Sequence, residues 1–162
     1  MKVLFICTGN TCRSSMAAAL AEQELKKRGI HAGVKIMSAG TCTVDGLQAA
    51  SNAVAVLEEM GIDLKKHRSS QLSLEKARDA DIILTVTGAH IREVLQIFPG
   101  ALDRVYTLAA YSGVGSDVVD PFGKDINIYR SCAAQLGFMV ARAVERLLQE
   151  GHEHTSKITT SI

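Results

Sequence analysis

Val3-Leu4-Phe5-Ile6-Cys7-Thr8-Gly9-Asn10-Thr11-Cys12-Arg13-Ser14 joins two different periodicities near the start of the chain. Its first four residues are a short apolar run of strand character. Directly after it, Ser15-Met16-Ala17-Ala18-Ala19-Leu20 opens a helical pattern, so residues 7–14 read as a strand-to-helix loop. Such a loop directs several backbone N–H groups, and the positive end of the helix dipole, into one hollow suited to a tetrahedral anion. A thiol at its start, an arginine six positions later and a hydroxyl beside that arginine give Cys-x5-Arg-Ser the parts of a phosphate-processing site.

Each part has a chemical reason. The thiolate rather than the thiol is the nucleophile, and helix N-termini, converging amides and a nearby cation favour it. Cys7 is therefore read as the nucleophile. Arg13 offers a planar fork that grips two phosphate oxygens, and Ser14 can donate its hydroxyl to the sulfur when that sulfur leaves. Gly9 is expected to supply a positive φ or a close backbone approach, and Asn10 to tie the loop to itself through side-chain hydrogen bonds. Thr8, Thr11 and Cys12 complete the lining of the anion site. The competing reading, a buried structural cysteine before an ordinary helix, needs strand, spacing, glycine and helix to coincide by accident.

Beyond this loop, strand and helix alternate. A helix is expected over 15–28 and a strand over 34–39, with Ser38-Ala39-Gly40 ending beside the loop if the two strands are parallel neighbours, or being a plain strand exit if they are not. A second helix is expected over 47–60, broken by Gly61, and a short one near 73–79. His67, in the loop between them, reads as a hydrogen-bonder rather than a catalytic base. Residues 81–86 form a continuous apolar run, the mark of a parallel strand covered on both faces. A helix over 88–97 stops before Pro99-Gly100; residues 104–108 give a fourth strand, 112–123 a Gly-rich loop and 125–149 a long helix. Residues 151–162 are set apart as a mobile tail, in which His152-Glu153-His154 reads as solvated rather than metal-binding. The alternation implies a single α/β domain over 1–150, an open four-stranded parallel sheet with helices on both faces. Ligands of such sheets bind at the carboxyl ends of the strands, where the Cys7 loop falls.

Composition removes other classes. With 162 residues, 47% of them hydrophobic, the chain supports one well-buried core. Eighteen basic against seventeen acidic residues give a net charge of +1, and 4% aromatic content without tryptophan offers no stacking platform, so no nucleic-acid partner is expected. The first apolar run is too short for a signal peptide or a membrane span. Cys7, Cys12, Cys42 and Cys132 lack disulfide-framework spacing and form no Cys-x2-Cys pair for zinc, so a cytoplasmic protein with reduced thiols is expected.

A thiolate that attacks phosphorus needs a partner to protonate the departing group and later to take a proton from water. Asp120-Pro121-Phe122-Gly123, in the loop after the fourth strand, supplies the best acid in Asp120, with Asp117 and Asp125 as alternatives. Phe122 is placed to exclude water or pack on a substrate. Tyr129 is read either as a border of the site's mouth or as a half-buried helix aromatic. Cys12 is either a small filler under the loop or a partner that forms a protective disulfide with Cys7 on oxidation.

Residues 3–14, Ser38-Ala39-Gly40 and Asp120-Pro121-Phe122-Gly123 together resemble the low-molecular-weight protein tyrosine phosphatase family, from Met1 to about Gln149. The resemblance implies no metal or other cofactor and a cysteinyl-phosphate intermediate. It assigns Cys7 as nucleophile, Arg13 as phosphate clamp, Ser14 as thiolate stabiliser, Asn10 as loop organiser and Asp120 as general acid. Cys-Thr-Gly-Asn-Thr-Cys-Arg-Ser looks like the bacterial protein-arginine phosphatase branch, because tyrosine-specific members usually carry an aliphatic residue where Thr11 stands. Thr11 leaves a smaller, more polar pocket floor, and an ionised Asp120 can hold a guanidinium. Ser15 departs from the family's usual proline at that position, with little expected consequence. The substrates implied are phosphorylated proteins, phosphoarginine first and phosphotyrosine second, with phosphate and other oxyanions as ligands. Arsenate reduction would need relay cysteines that residues 80–123 lack, and the set Cys7, Arg13 and Asp120 argues against a mere phosphate-binding module.

Overall fold

A computed structural model describes the backbone of residues 1–159 and the side chains of residues 1–150. Strand β1, Lys2–Cys7, lies inside a parallel sheet between β2, Lys35–Gly40, and β3, Ile82–Thr85, with β4, Val105–Thr107, at the far edge. The order is β2-β1-β3-β4. β1 is apolar at every position after Lys2 because both faces are covered. Val3, Phe5 and Cys7 enter one core layer with residues of helices α1 (Arg13–Lys27), α2 (Ser51–Glu59), α5 (Leu108–Ser112) and α6 (Ile126–Thr159). Leu4 and Ile6 enter the other with Ala77 of α3 (Leu74–Asp79) and Val94 of α4 (Gly88–Ile97).

Because the chain leaves β1 for β2 on one side and returns to β3 on the other, the loops after β1 and β3 diverge and open a crevice at the carboxyl ends of the strands. The register pairs Cys7 with Gly40, which brings the end of β2 beside the phosphate loop as the parallel-neighbour reading anticipated. Gly40 is there for space. A Cβ on it would overlap the Thr8 carbonyl oxygen and stand 3.1 Å from Asn10 N.

Several element bounds differ from expectation for local reasons. α1 starts at Arg13, because Met16 N donates to Cys12 O at 2.9 Å and closes a turn two residues early. Residues 47–50 are not helical. Their backbone is spent elsewhere: Leu47 N donates to Ser69 Oγ, Gln48 bridges Arg68, and Ala50 N donates to Thr11 O at 2.9 Å, bracing the phosphate loop. Leu108, expected to end the fourth strand, instead begins α5, which Thr107 caps by accepting from Ala110 N at 3.0 Å. α6 begins after Asp125, whose carboxylate accepts from Asn127 N and Ile128 N. It runs past Gln149 to Thr159, so the helix continues into the residues set apart as a tail. A single glycine at 151 costs only about 1 kcal/mol in a helix and does not stop one. The side chains of His152-Glu153-His154 and residues 160–162 lie outside the described residues. No helix among the described residues is long and apolar enough to cross a membrane.

Candidate active site

The loop between β1 and α1 wraps a hollow of about 210 Å³ lined by Cys7, Thr8, Gly9, Asn10, Thr11, Cys12, Arg13, Asp120 and Phe122. Cys12 sits at the N-cap of α1 without a side-chain cap bond, and the first turn holds no acidic residue, so the positive helix end stays available to an anion. Cys7 Sγ lies 2.9 Å from Ser14 Oγ and accepts from Asn10 N at 3.3 Å.

Asn10 holds the loop's shape. It is the one non-glycine residue with positive φ among the described residues, at 54°, a conformation that asparagine tolerates better than most side chains. Its Nδ2 donates to Ser14 Oγ at 2.9 Å, and its Oδ1 accepts from Ser70 N at 2.8 Å. His67 Nε2–H donates to the Asn10 carbonyl at 2.6 Å, the loop-bonding role read for it. Burial lowers the pKa of His67, which keeps the ring neutral. Of the two roles open to Gly9, a positive φ or a close approach of backbone to ligand, the first is not taken, and among protein atoms a Cβ there would touch only Thr11 Oγ1 at 3.6 Å. The left-handed turn sits one residue later, and Gly40 is the glycine that the loop backbone itself approaches closely.

Arg13 is 6% exposed and bridges to the opposite wall. Its Nη1 donates to Val118 O at 3.2 Å and its Nη2 to Asp120 Oδ2 at 2.9 Å. Phe122 is 69% exposed at the rim, and its N–H donates to Asp120 Oδ1 at 3.2 Å. The alternative acids are occupied elsewhere: Asp117 accepts from Gly88 N at the start of α4, and Asp125 caps α6. Tyr129 is 3% exposed and lies beneath the loop rather than at its mouth, its hydroxyl 3.4 Å from Cys12 Sγ. Burial pushes the Cys12 thiol up, and it pushes Cys132 up to about 12.

Three contributors were not read from the sequence. The Val118 carbonyl and Ser70 N are backbone groups, invisible to residue type. His90 reaches Thr8 from 82 positions away; its only local signal is Thr87, three residues before it across a helix start. Among the described residues no three His, Cys, Asp or Glu side chains gather as if to hold a metal.

A thiol at the head of a helix-capped anion loop, faced by a carboxylate on the arginine that completes the loop, defines a phosphatase that works through cysteine. The chain matches the description "Low molecular weight phosphotyrosine protein phosphatase" over residues 2–156. It is 41% identical to a protein-arginine-phosphatase of Geobacillus stearothermophilus over 150 residues, 92% of this chain and 97% of that one. Among solved structures, the YwlE arginine phosphatase from Geobacillus stearothermophilus superposes with a TM-score of 0.85 at 42% identity, covering 94% of this chain and 96% of the other. A YwlE arginine phosphatase C7S mutant with a phosphorylated active site serine gives 0.85 at 36% identity, covering 91% and 95%. The chain belongs to the low molecular weight phosphotyrosine protein phosphatase family.

Proposed function

We propose that this protein is a cytoplasmic protein-arginine phosphatase that needs no metal or other cofactor. The observation that carries the chemistry is the meeting, at one hollow, of Cys7 Sγ held by Ser14 Oγ at 2.9 Å with Asp120 held by Arg13 at 2.9 Å. In the first step Cys7 Sγ attacks phosphorus in line while the loop amides and Arg13 hold the three equatorial oxygens. The P–N bond breaks, and Asp120 gives its proton to the departing guanidine nitrogen. In the second step Asp120 takes a proton from water, the water oxygen attacks phosphorus, and the S–P bond returns its electron pair to sulfur. Ser14 then donates its hydroxyl to the thiolate, and phosphate leaves.

The arginine preference is supported by the names of the relatives above and by Thr11, which lines the hollow where an aliphatic side chain would make it drier. An ionised Asp120 at the rim also suits the cationic side chain of the product. Phosphotyrosine is the second reading, favoured by the description of the family to which the chain belongs. A cytoplasmic setting fits a mechanism that needs Cys7 reduced, and the free state of all four cysteines.

The test is covalent trapping. The native protein, denatured at alkaline pH within its first turnover of a phosphoarginine peptide, is expected to carry phosphate on Cys7 by mass spectrometry, and the Cys7→Ala variant none. Turnover by Cys7→Ala at the native rate would end the covalent account.

A further inference from the structure

The junction of β3 and α4 holds a histidine that the chemistry above leaves unused. His90 is 4% exposed on the first turn of α4, and both ring nitrogens are engaged, Nδ1 with Thr87 Oγ1 at 2.7 Å and Nε2 with Thr8 Oγ1 at 2.9 Å. Thr87 occupies the N-cap position of α4, yet its hydroxyl makes no bond to the helix amides and turns to the imidazole instead. Asp117 does the capping, its carboxylate 3.1 Å and 3.3 Å from Gly88 N. The same junction accepts Val118 N on Val86 O at 2.9 Å. One turn of chain thus grips the phosphate loop through Thr8 and the wall that carries Asp120.

The direction of the Thr87–His90–Thr8 chain follows from who can spare a hydrogen. Burial and the charge of Arg13 lower the pKa of His90, against the opposing pull of Glu93, Asp120 and Asp117. A neutral imidazole has one N–H and one lone pair, so the three side chains donate in a single sense. If Thr8 donated to Nε2, Nδ1–H would donate to Thr87, and the Thr87 hydrogen would be left half-buried without an acceptor among the protein's described groups. In the other sense Thr87 donates to Nδ1 and Nε2–H donates to Thr8. The free hydrogen then belongs to Thr8, which is exposed and lines the hollow.

We infer that His90 is a positioning residue, which turns Thr8 into a hydroxyl donor for the oxygens of the phosphoryl group. This rests on the phosphatase reading but not on the preference for arginine, so p-nitrophenyl phosphate serves as substrate and vanadate as the bound oxyanion. Thr8→Val and His90→Leu are each expected to lower kcat/KM and vanadate affinity about tenfold, the scale of one hydrogen bond. The double variant is expected to be no worse than either single one, because both remove the same donor. His90→Gln, whose amide N–H can stand where Nε2–H stood, is expected to recover most of the loss. Multiplying losses in the double variant, no recovery in His90→Gln, or a Thr8→Val variant with native kinetics would each overturn the inference. Thr8→Val changes an exposed side chain, so its result stands even if His90→Leu fails to fold. A native protein that does not hydrolyse p-nitrophenyl phosphate would overturn the phosphatase reading itself, which none of the variant results can do.

Discussion

Replacing Asn10 by alanine attacks the point where the loop's shape, its ties to the rest of the fold and its chemistry meet. The side chain is fully buried, donates to Ser14 Oγ, accepts from Ser70 N and sits on a backbone at φ 54°. Removing it leaves one buried partner, Ser14, and one half-buried one, Ser70 N, short of a bond, at about 1–3 kcal/mol each with the second at the low end. Alanine keeps the Cβ that Asn10 already carries in the left-handed region, so the loss is that of the bonds that hold it there. The sum, about 2–4 kcal/mol, is a large part of a domain's stability. At about 2–4 °C per kcal/mol for a domain of this size, Asn10→Ala should melt about 4 °C or more below the native protein. Asn10→Gly loses the same bonds but not the Cβ clash, and should regain roughly 1 kcal/mol over alanine. Thermal and urea melts of the three proteins, with kcat measured beside them, check the reasoning. An alanine variant melting within about 2 °C of native, or a glycine variant less stable than alanine, would refute it.

Other outcomes follow from the same geometry. Gly40→Ala should destabilise by about 1–3 kcal/mol and lower kcat/KM at least tenfold, because its Cβ lands on the Thr8 carbonyl and Asn10 N; unchanged kinetics would show that the loop shifts freely. His67 and His90 both have pKa values lowered by burial from the ordinary 6.5, so the unfolded chain binds more protons than the folded one below that pH. The stability they confer is complete above about pH 6.5 and is lost as pH falls through that value toward the lower folded ones. Urea midpoints at about pH 7.5 and 5.5 should therefore drop, and drop less in a His67→Gln, His90→Gln double variant; equal drops would contradict the assignment.

The sheet and the loop were legible in the sequence because they rest on local pattern. The apolar run of β1, the glycine and asparagine of the loop and the helical spacing after Ser15 are all contiguous, and the parallel order follows from strand and helix alternating. Residues 47–50 were misread because Leu47 and Ala50 keep helical spacing, while their amides go to Ser69 and Thr11, partners that only the folded chain provides. α5 is one turn long and too short to show a period. The positive φ, one of two roles open to Gly9, falls on Asn10 because the hydrogen bonds of an asparagine can hold a left-handed turn. His90 stayed hidden because its partner is brought to it by the pairing of β1 with β3.

The measurement that bears most directly on the central claim compares kcat/KM for a phosphoarginine peptide and a matched phosphotyrosine peptide, in the native protein and in Thr11→Ile. A strong native preference for phosphoarginine that falls in the variant is the expected result. A preference for phosphotyrosine that the substitution leaves unchanged would contradict the arginine assignment and return the protein to the tyrosine-directed side of its family.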